Sequence, residues 1–279
     1  MRNLKLQVPL LTTLLIFANH AFADHLPLWE LGISVGGLDM PAYRGSEQRT
    51  QYLLPIPYGS YRGEKLRIGR EGIKGFLFSG ERWELDMSLY ASPPVKSSES
   101  HTRSGMDNLD ATLEIGPSLT MLIYRSSHKK NRLKLELPLR AVIGSDLRQI
   151  DHHGWIFYPH LNLIRQHPPH GQDWSMSISA GVIYADDAYH DYFFGVDSDQ
   201  VTTVRPSYQG GAGYSGTRLS MNYRRYLNQE WVFRTFLQYE NLNSVAFSDS
   251  PLKTANETFA AGFLISRIFR RSTVMVEHY

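Results

Sequence analysis

The chain contains no cysteine. That excludes a disulfide-stapled secreted scaffold, a thiolate metal centre and a lipid-anchored cysteine. It also lacks long apolar runs. After the first 23 residues no stretch reaches about 18 consecutive apolar residues, so no membrane-spanning helix is expected. Net charge is the third absence. Arg2 and Lys5 fall in a segment that reads as removable. Without them the basic count drops from 29 to 27, equal to the 27 acidic residues. A neutral mature chain argues against nucleic acid as a partner, which would favour a basic surface.

The N-terminus has a basic start, an apolar run from Leu6 to Ala18 and an Ala21-Phe22-Ala23 ending. This pattern predicts an export signal cleaved after Ala23, so residues 1–23 are set apart from the mature chain. Exported chains of this length without disulfides need a large packed or lipid-embedded structure for stability.

What the sequence has in quantity is alternation. Leu113, Ile115, Pro117, Leu119, Met121 and Ile123 are apolar, and Glu114, Gly116, Ser118 and Thr120 lie between them. After the polar turn Ser126–Asn131 the pattern restarts. Leu133, Leu135, Leu137, Leu139 and Ala141 alternate with Lys134, Glu136, Pro138 and Arg140. A period of two places each set on one face of a sheet. The same rhythm recurs from Trp29, Trp83, Trp155, Trp174, Tyr214, Trp231 and Thr258. The segments 65–70 and 73–79 read as short strands, and the pair Pro55/Pro57 predicts a weak or irregular strand over 52–62.

Long connections (39–51, 92–108, 144–153, 185–213, 241–256) mostly alternate with short ones (63–64, 126–131, 167–171, 228–229). About twelve strands fit this spacing, with both termini and the short turns in the periplasm and the long loops outside. The expected fold is therefore all-β: a transmembrane antiparallel β-barrel over residues 24–269, followed by a short, frayed tail at 270–279. The tryptophans near strand ends read as interfacial anchors.

With the apolar set facing lipid, the inward set holds Glu30, Arg67, Glu84, Asp86, Glu114, Lys134, Glu136, Arg140, Arg218, Arg224, Arg234 and Glu240. Mixed signs in a narrow lumen predict mutual ion pairing, because an unpaired buried charge is costly. A selective pore is the functional alternative. Two acidic, histidine-bearing loops, 151–153 and 186–191, match no closed metal-site template. His160 and Asn162 share an inward face near several serines, but no nucleophile-elbow motif accompanies them. No enzyme, cofactor or metal is expected.

A set of short motifs adds a resemblance. They are Pro41-Ala42-Tyr43-Arg44-Gly45-Ser46, Pro55-Ile56-Pro57-Tyr58, Arg103-Ser104-Gly105-Met106-Asp107-Asn108-Leu109 leading into Glu114-Ile115-Gly116-Pro117, Tyr192–Val196, Tyr208 with Gly211–Gly213, Trp231, and Asp249–Leu252. In order and spacing the chain resembles the MltA-interacting protein (MipA)/OmpV family of outer-membrane proteins. The resemblance implies a barrel without catalytic residues and an adaptor role, linking a murein lytic transglycosylase to a penicillin-binding synthase. It also implies a last strand closing on an aromatic residue, here Phe269, with Tyr279 as a second terminal aromatic. The motif loops, with Gly45, Gly105, Gly195 and Gly213 free to take positive φ and Arg103 able to pair with Asp107, are expected to fold over the barrel mouth or bind a partner. A small solute or ion pore and an outward-facing adhesin are the alternative functions. The lipid bilayer is the expected partner in every case.

Overall fold

The computed structural model describes residues 25–69, 72–127, 130–145, 150–167 and 174–277. The expected signal segment 1–23, most of the turn 167–171 and Tyr279 lie outside them.

Among the described residues fifteen strands and one α-helix follow one another. A short β1 (His25–Pro27) precedes β2 (Trp29–Pro41), β3 (Arg49–Arg62), β4 (Leu66–Gly69), β5 (Gly72–Ser79) and β6 (Trp83–Ser92). Next come β7 (Ala111–Arg125), β8 (Asn131–Ser145), β9 (Ile150–Phe157), β10 (His160–Gln166) and β11 (Trp174–Ala185). Helix α1 (Asp187–Phe194) leads to β12 (Gly213–Tyr226), β13 (Trp231–Asn241), β14 (Glu257–Arg271) and β15 (Met275–Glu277).

Thirteen of these strands form one antiparallel sheet in which β2 pairs with β14, so the sheet closes on itself. β9 and β10 both pair with β8 and with β11. They are one barrel strand interrupted at Tyr158-Pro159, where proline breaks the donor ladder. The result is a closed barrel of 12 strands. Its termini and short turns lie at the periplasmic end, and the long loops at the extracellular end.

The alternation sorts as the residues predict. Leu31, Ile33, Val35, Leu113, Met121, Ile123, Leu161, Leu163, Phe263 and Ile265 are exposed on the outer face. Ser34, Glu114, Ser118, Thr120, Glu136 and Ser266 are buried on the inner one. Apolar outside and polar inside inverts a soluble sheet and suits lipid. All five tryptophans stand on the outer face, as their inward neighbours Glu30, Ile156, Ser175 and Val232 are buried and Glu84 pairs with Lys134 along the inner wall. Trp29, Trp83, Trp174 and Trp231 each start a strand that rises from the periplasmic end, which makes an anchor belt there.

Three features differ from expectation. The 185–213 connection contains a helix, because Asp186 caps it: its carboxylate accepts the Tyr189 N–H at 3.0 Å. The proline-bearing β3 is a full 14-residue strand, but it has a complete partner on one side only. The segment after Phe269 is not frayed: β14 continues to Arg271, and Met275–Glu277 pairs with His25–Pro27 in a small second sheet.

Candidate functional site

The motif loops meet above the barrel. Pro41–Ser46 forms a tight turn, closed by the Ser46 N–H on the Tyr43 carbonyl at 3.1 Å, with Gly45 at φ 77°. A side chain would be strained there. The Gly45 carbonyl accepts the N–H groups of Thr254 and Ala255, which ties this turn to the last long loop. Tyr43 sends its hydroxyl to the Leu252 carbonyl at 2.7 Å, and Ser250 sends its own to the Phe194 carbonyl at 2.7 Å. Tyr43, Leu109, Phe194, Leu242, Val245 and Phe247 form a buried apolar cluster, with the Phe194 and Phe247 rings stacked at 3.7 Å. Four loops therefore share one core at the outer mouth.

Arg103 is buried in this cap. It donates to the Phe193 carbonyl at 3.2 Å, to Ser97 Oγ at 3.3 Å and to the backbone carbonyl of Asp107 at 3.4 Å. The expected pairing with Asp107 thus runs through its carbonyl rather than its carboxylate. Gly105 takes φ 80°, whereas Gly195 sits at φ −69° and ends α1 with its N–H on the Asp191 carbonyl. Met106 closes the Arg103 turn through its N–H. Gly116 and Pro117 lie in β7, where a methyl on Gly116 would overlap the Leu139 carbonyl, so the glycine permits close approach of β8.

The two acidic, histidine-bearing segments are not loops: 151–153 lie in β9 and 186–191 cap and open α1. Asp186 caps α1, Asp191 accepts the Gly210 N–H, and His153 stacks on Tyr192 at 3.6 Å. Among the described residues no group of three His, Asp or Glu side chains gathers to hold a metal. His190 is fully buried, with one ring nitrogen on the Gly211 carbonyl at 2.6 Å and the other on Ser215 Oγ at 3.1 Å. Burial pushes its imidazole below the ordinary value, opposed by the Gly211 carbonyl.

Beneath the cap the inner wall is laced by ion pairs, mostly between neighbouring strands. Glu240, which is 2 % exposed, accepts Arg44 Nε at 2.8 Å and Arg218 Nε at 2.6 Å. Arg140 meets Glu114 at 3.2 Å, Lys134 meets Glu84 at 3.8 Å, and Arg62 meets Glu30 at 2.7 Å. Glu136 gathers Lys74 and His160, each at 3.6 Å, and Asn162 at 2.8 Å. His160 turns its other nitrogen to the Tyr158 carbonyl at 2.9 Å, so its neighbours in the lumen are a carbonyl and a carboxylate. Asp86 is fully buried in the same wall. Arg224 and Arg234 lie over the Tyr226 and Tyr58 rings at 5.1 and 4.7 Å. Arg67 shares the inward face with Arg62 and Lys74 by register, but it is exposed and stacks on Phe76 at 4.5 Å.

Arg44, Arg62, Lys74 and His160 complete these pairs, and of these the alternation places only His160 on the inward face. Arg44 comes from a loop, and Arg62 and Lys74 from β3 and β5, on either side of the four-residue β4. A polar cavity of about 570 Å³ remains between them, lined by Lys74, Glu136, Arg140, His160, Asn162 and Arg218 among others.

No curated protein matches this chain. Among solved structures it is similar to a bacterial polysaccharide outer membrane secretin, at 10% identity and TM-score 0.44, covering 86% of this chain and 99% of that one. It is also similar to an outer membrane channel from Pseudomonas putida F1, at 12% identity and TM-score 0.39, covering 89% and 98%. A third is the outer membrane protease OmpT from Escherichia coli, at 8% identity and TM-score 0.31, covering 88% and 96%. The model of the family described as MltA-interacting protein MipA matches residues 33–269. Most of the barrel and every loop of the cap fall inside that match, and the chain belongs to the MipA family of outer-membrane barrels.

Proposed function

We propose that this chain is a non-enzymatic outer-membrane scaffold. On this reading it brings a murein lytic transglycosylase together with a penicillin-binding peptidoglycan synthase at the inner surface of the outer membrane. The observation that carries it is the cap: four loops share a packed apolar core at the outer mouth, and Glu240, Glu114 and Glu30 below it are paired with arginines. This favours a role at the rims over transport through the lumen; the periplasmic rim faces the murein layer, and export by the signal at 1–23 delivers the chain there. The Ser215–His190 contact is buried in the cap and holds Arg44, so it fits a structural role. Photocrosslinkers at Glu64, Gly80 and Gln229, on the periplasmic turns, test the proposal in cells. The expected outcome is capture of a murein transglycosylase or synthase; adducts confined to lipid and barrel-assembly factors contradict it.

A second reading, a small solute or ion pore, is favoured by the polar cavity of about 570 Å³. It requires the cap to open. Planar-bilayer recordings separate the two readings. The scaffold predicts silence from the intact chain at all voltages, and the pore predicts discrete conductance steps.

A further inference from the structure

The barrel wall is incomplete beside β3. On one side β3 pairs with β2 from Arg49 to Tyr61. On the other it meets β4 only through Tyr61 and Arg62. β5 pairs with β6 no higher than Ser88, which leaves Leu89–Ser92 without a β5 partner. Among the described residues the β3 edge from Arg49 to Ser60 therefore borders a slot in the wall. Across β2 the slot stands level with lipid-facing Leu31, Ile33 and Val35, so it opens at membrane depth.

The sequence holds this edge open. The Arg62 N–H donates to the Leu28 carbonyl beyond β2, which fixes even-numbered β3 nitrogens toward β2 and odd-numbered ones toward the slot. Pro55 and Pro57 are odd, so both face the slot without an N–H. An edge short of donors resists zipping to another strand.

Behind the slot lies a cavity of about 340 Å³. Its walls are mostly apolar, with Leu54 and Ile56 from β3, Phe236 from β13, Leu264 from β14 and Gly69 at the slot end, while Asn222 and Arg224 of β12 add a polar side. Glycines make room for it. A methyl on Gly36 would overlap Leu264, and one on Gly262 would overlap Phe236, so these large side chains lie flat against the wall. Leu54 and Ile56 are 48% and 42% exposed, although both point inward. A water-filled lumen gives no reason for that, whereas a bound hydrocarbon chain does. Arg234 lines the same cavity. Its Nε is buried with no acceptor among the described residues, and the nearby carboxylate of Glu30 is taken by Arg62.

We propose that this cavity binds the acyl chain of an anionic amphiphile, a long-chain carboxylate or an anionic lipid, which enters from the bilayer through the slot beside β3, with its head group on Arg234. This goes beyond the scaffold reading and does not depend on it.

The test uses the full chain in phosphatidylcholine vesicles. The probes are diazirine-bearing palmitate, hexadecanol and phosphatidic acid, with adducts mapped by mass spectrometry. Saturable palmitate adducts on Leu54, Ile56, Phe236 or Leu264, chased by unlabelled palmitate, are expected. Arg234→Gln should weaken palmitate labelling on the order of tenfold, as for one lost charge-assisted hydrogen bond, and leave hexadecanol labelling unchanged. Ile56→Trp, which fills the cavity beside an open edge, should reduce labelling by both probes and gives a second route if Arg234→Gln does not assemble. Labelling by phosphatidic acid as well identifies membrane lipid as the source; labelling by palmitate alone identifies the free acid. Adducts confined to lipid-facing Leu31, Ile33, Phe263 or Ile265 overturn the site. Equal loss of palmitate and hexadecanol in Arg234→Gln overturns the assignment of the head group.

Discussion

Glu240 is the residue on which the joint between cap and barrel turns. Its two oxygens hold a guanidinium from the Pro41–Ser46 loop and one from β12, and almost none of it is exposed. Glu240→Ala leaves both cations uncompensated, which costs about 3–5 kcal/mol. The expected outcome is a lower unfolding midpoint in heat-modifiability gels, with protease sensitivity appearing first at residues 42–48. His190 supplies the pH dependence. Its imidazole is held neutral, below its ordinary value, while an opened cap would bind a proton near about 6.5. Cap stability is therefore full above that pH and falls as pH drops through it. The groups around the ring agree in part: Arg44 opposes protonation, and Asp186 and Asp191 favour it. Protection factors over α1, with the intrinsic pH dependence of amide exchange divided out, should be lower at pH 5 than at pH 7.5, and His190→Gln should flatten the difference.

Single elements show which features the residues announce. β7 and β8 are legible because one face meets lipid and the other a polar lumen, so every residue carries a sign of its side. The short β4/β5 hairpin is legible as well. Helix α1 is not, since its aromatic residues show no strong period; its signal is the cap residue Asp186. Asp186→Ala should cost the cap about 1 kcal/mol, read as faster exchange confined to 187–195. Nor is the β1/β15 clip legible. Three-residue strands carry too few side chains to show alternation, and their pairing joins opposite ends of the chain. Deleting 272–279 should leave barrel assembly intact and expose residues 25–28 to protease; failed assembly would put an essential signal in that segment. At the candidate site the inward charges were readable strand by strand, but their partners were not. Arg44 reaches Glu240 across 196 positions of sequence, a distance only the closed barrel brings together.

At the scale of the whole molecule, one inversion explains the rest. Lipid takes the apolar face, so the interior must satisfy polar groups with one another, and ion pairs and serine-rich rows do that work. The loops supply one apolar core, and inward residues of β8, β9 and β11 pack a second one against α1. Because the chain has no cysteine, single cysteines can be placed at will. The most direct measurement is a cysteine scan of residues 112–121 in β7, each labelled with a fluorophore and quenched by nitroxide lipids in vesicles. Strong quenching at Leu113, Pro117 and Met121, with weak quenching at Thr112, Glu114, Ser118 and Thr120, is the predicted result. Uniform quenching, or the opposite phase, would contradict a lipid-facing barrel with a polar, capped lumen.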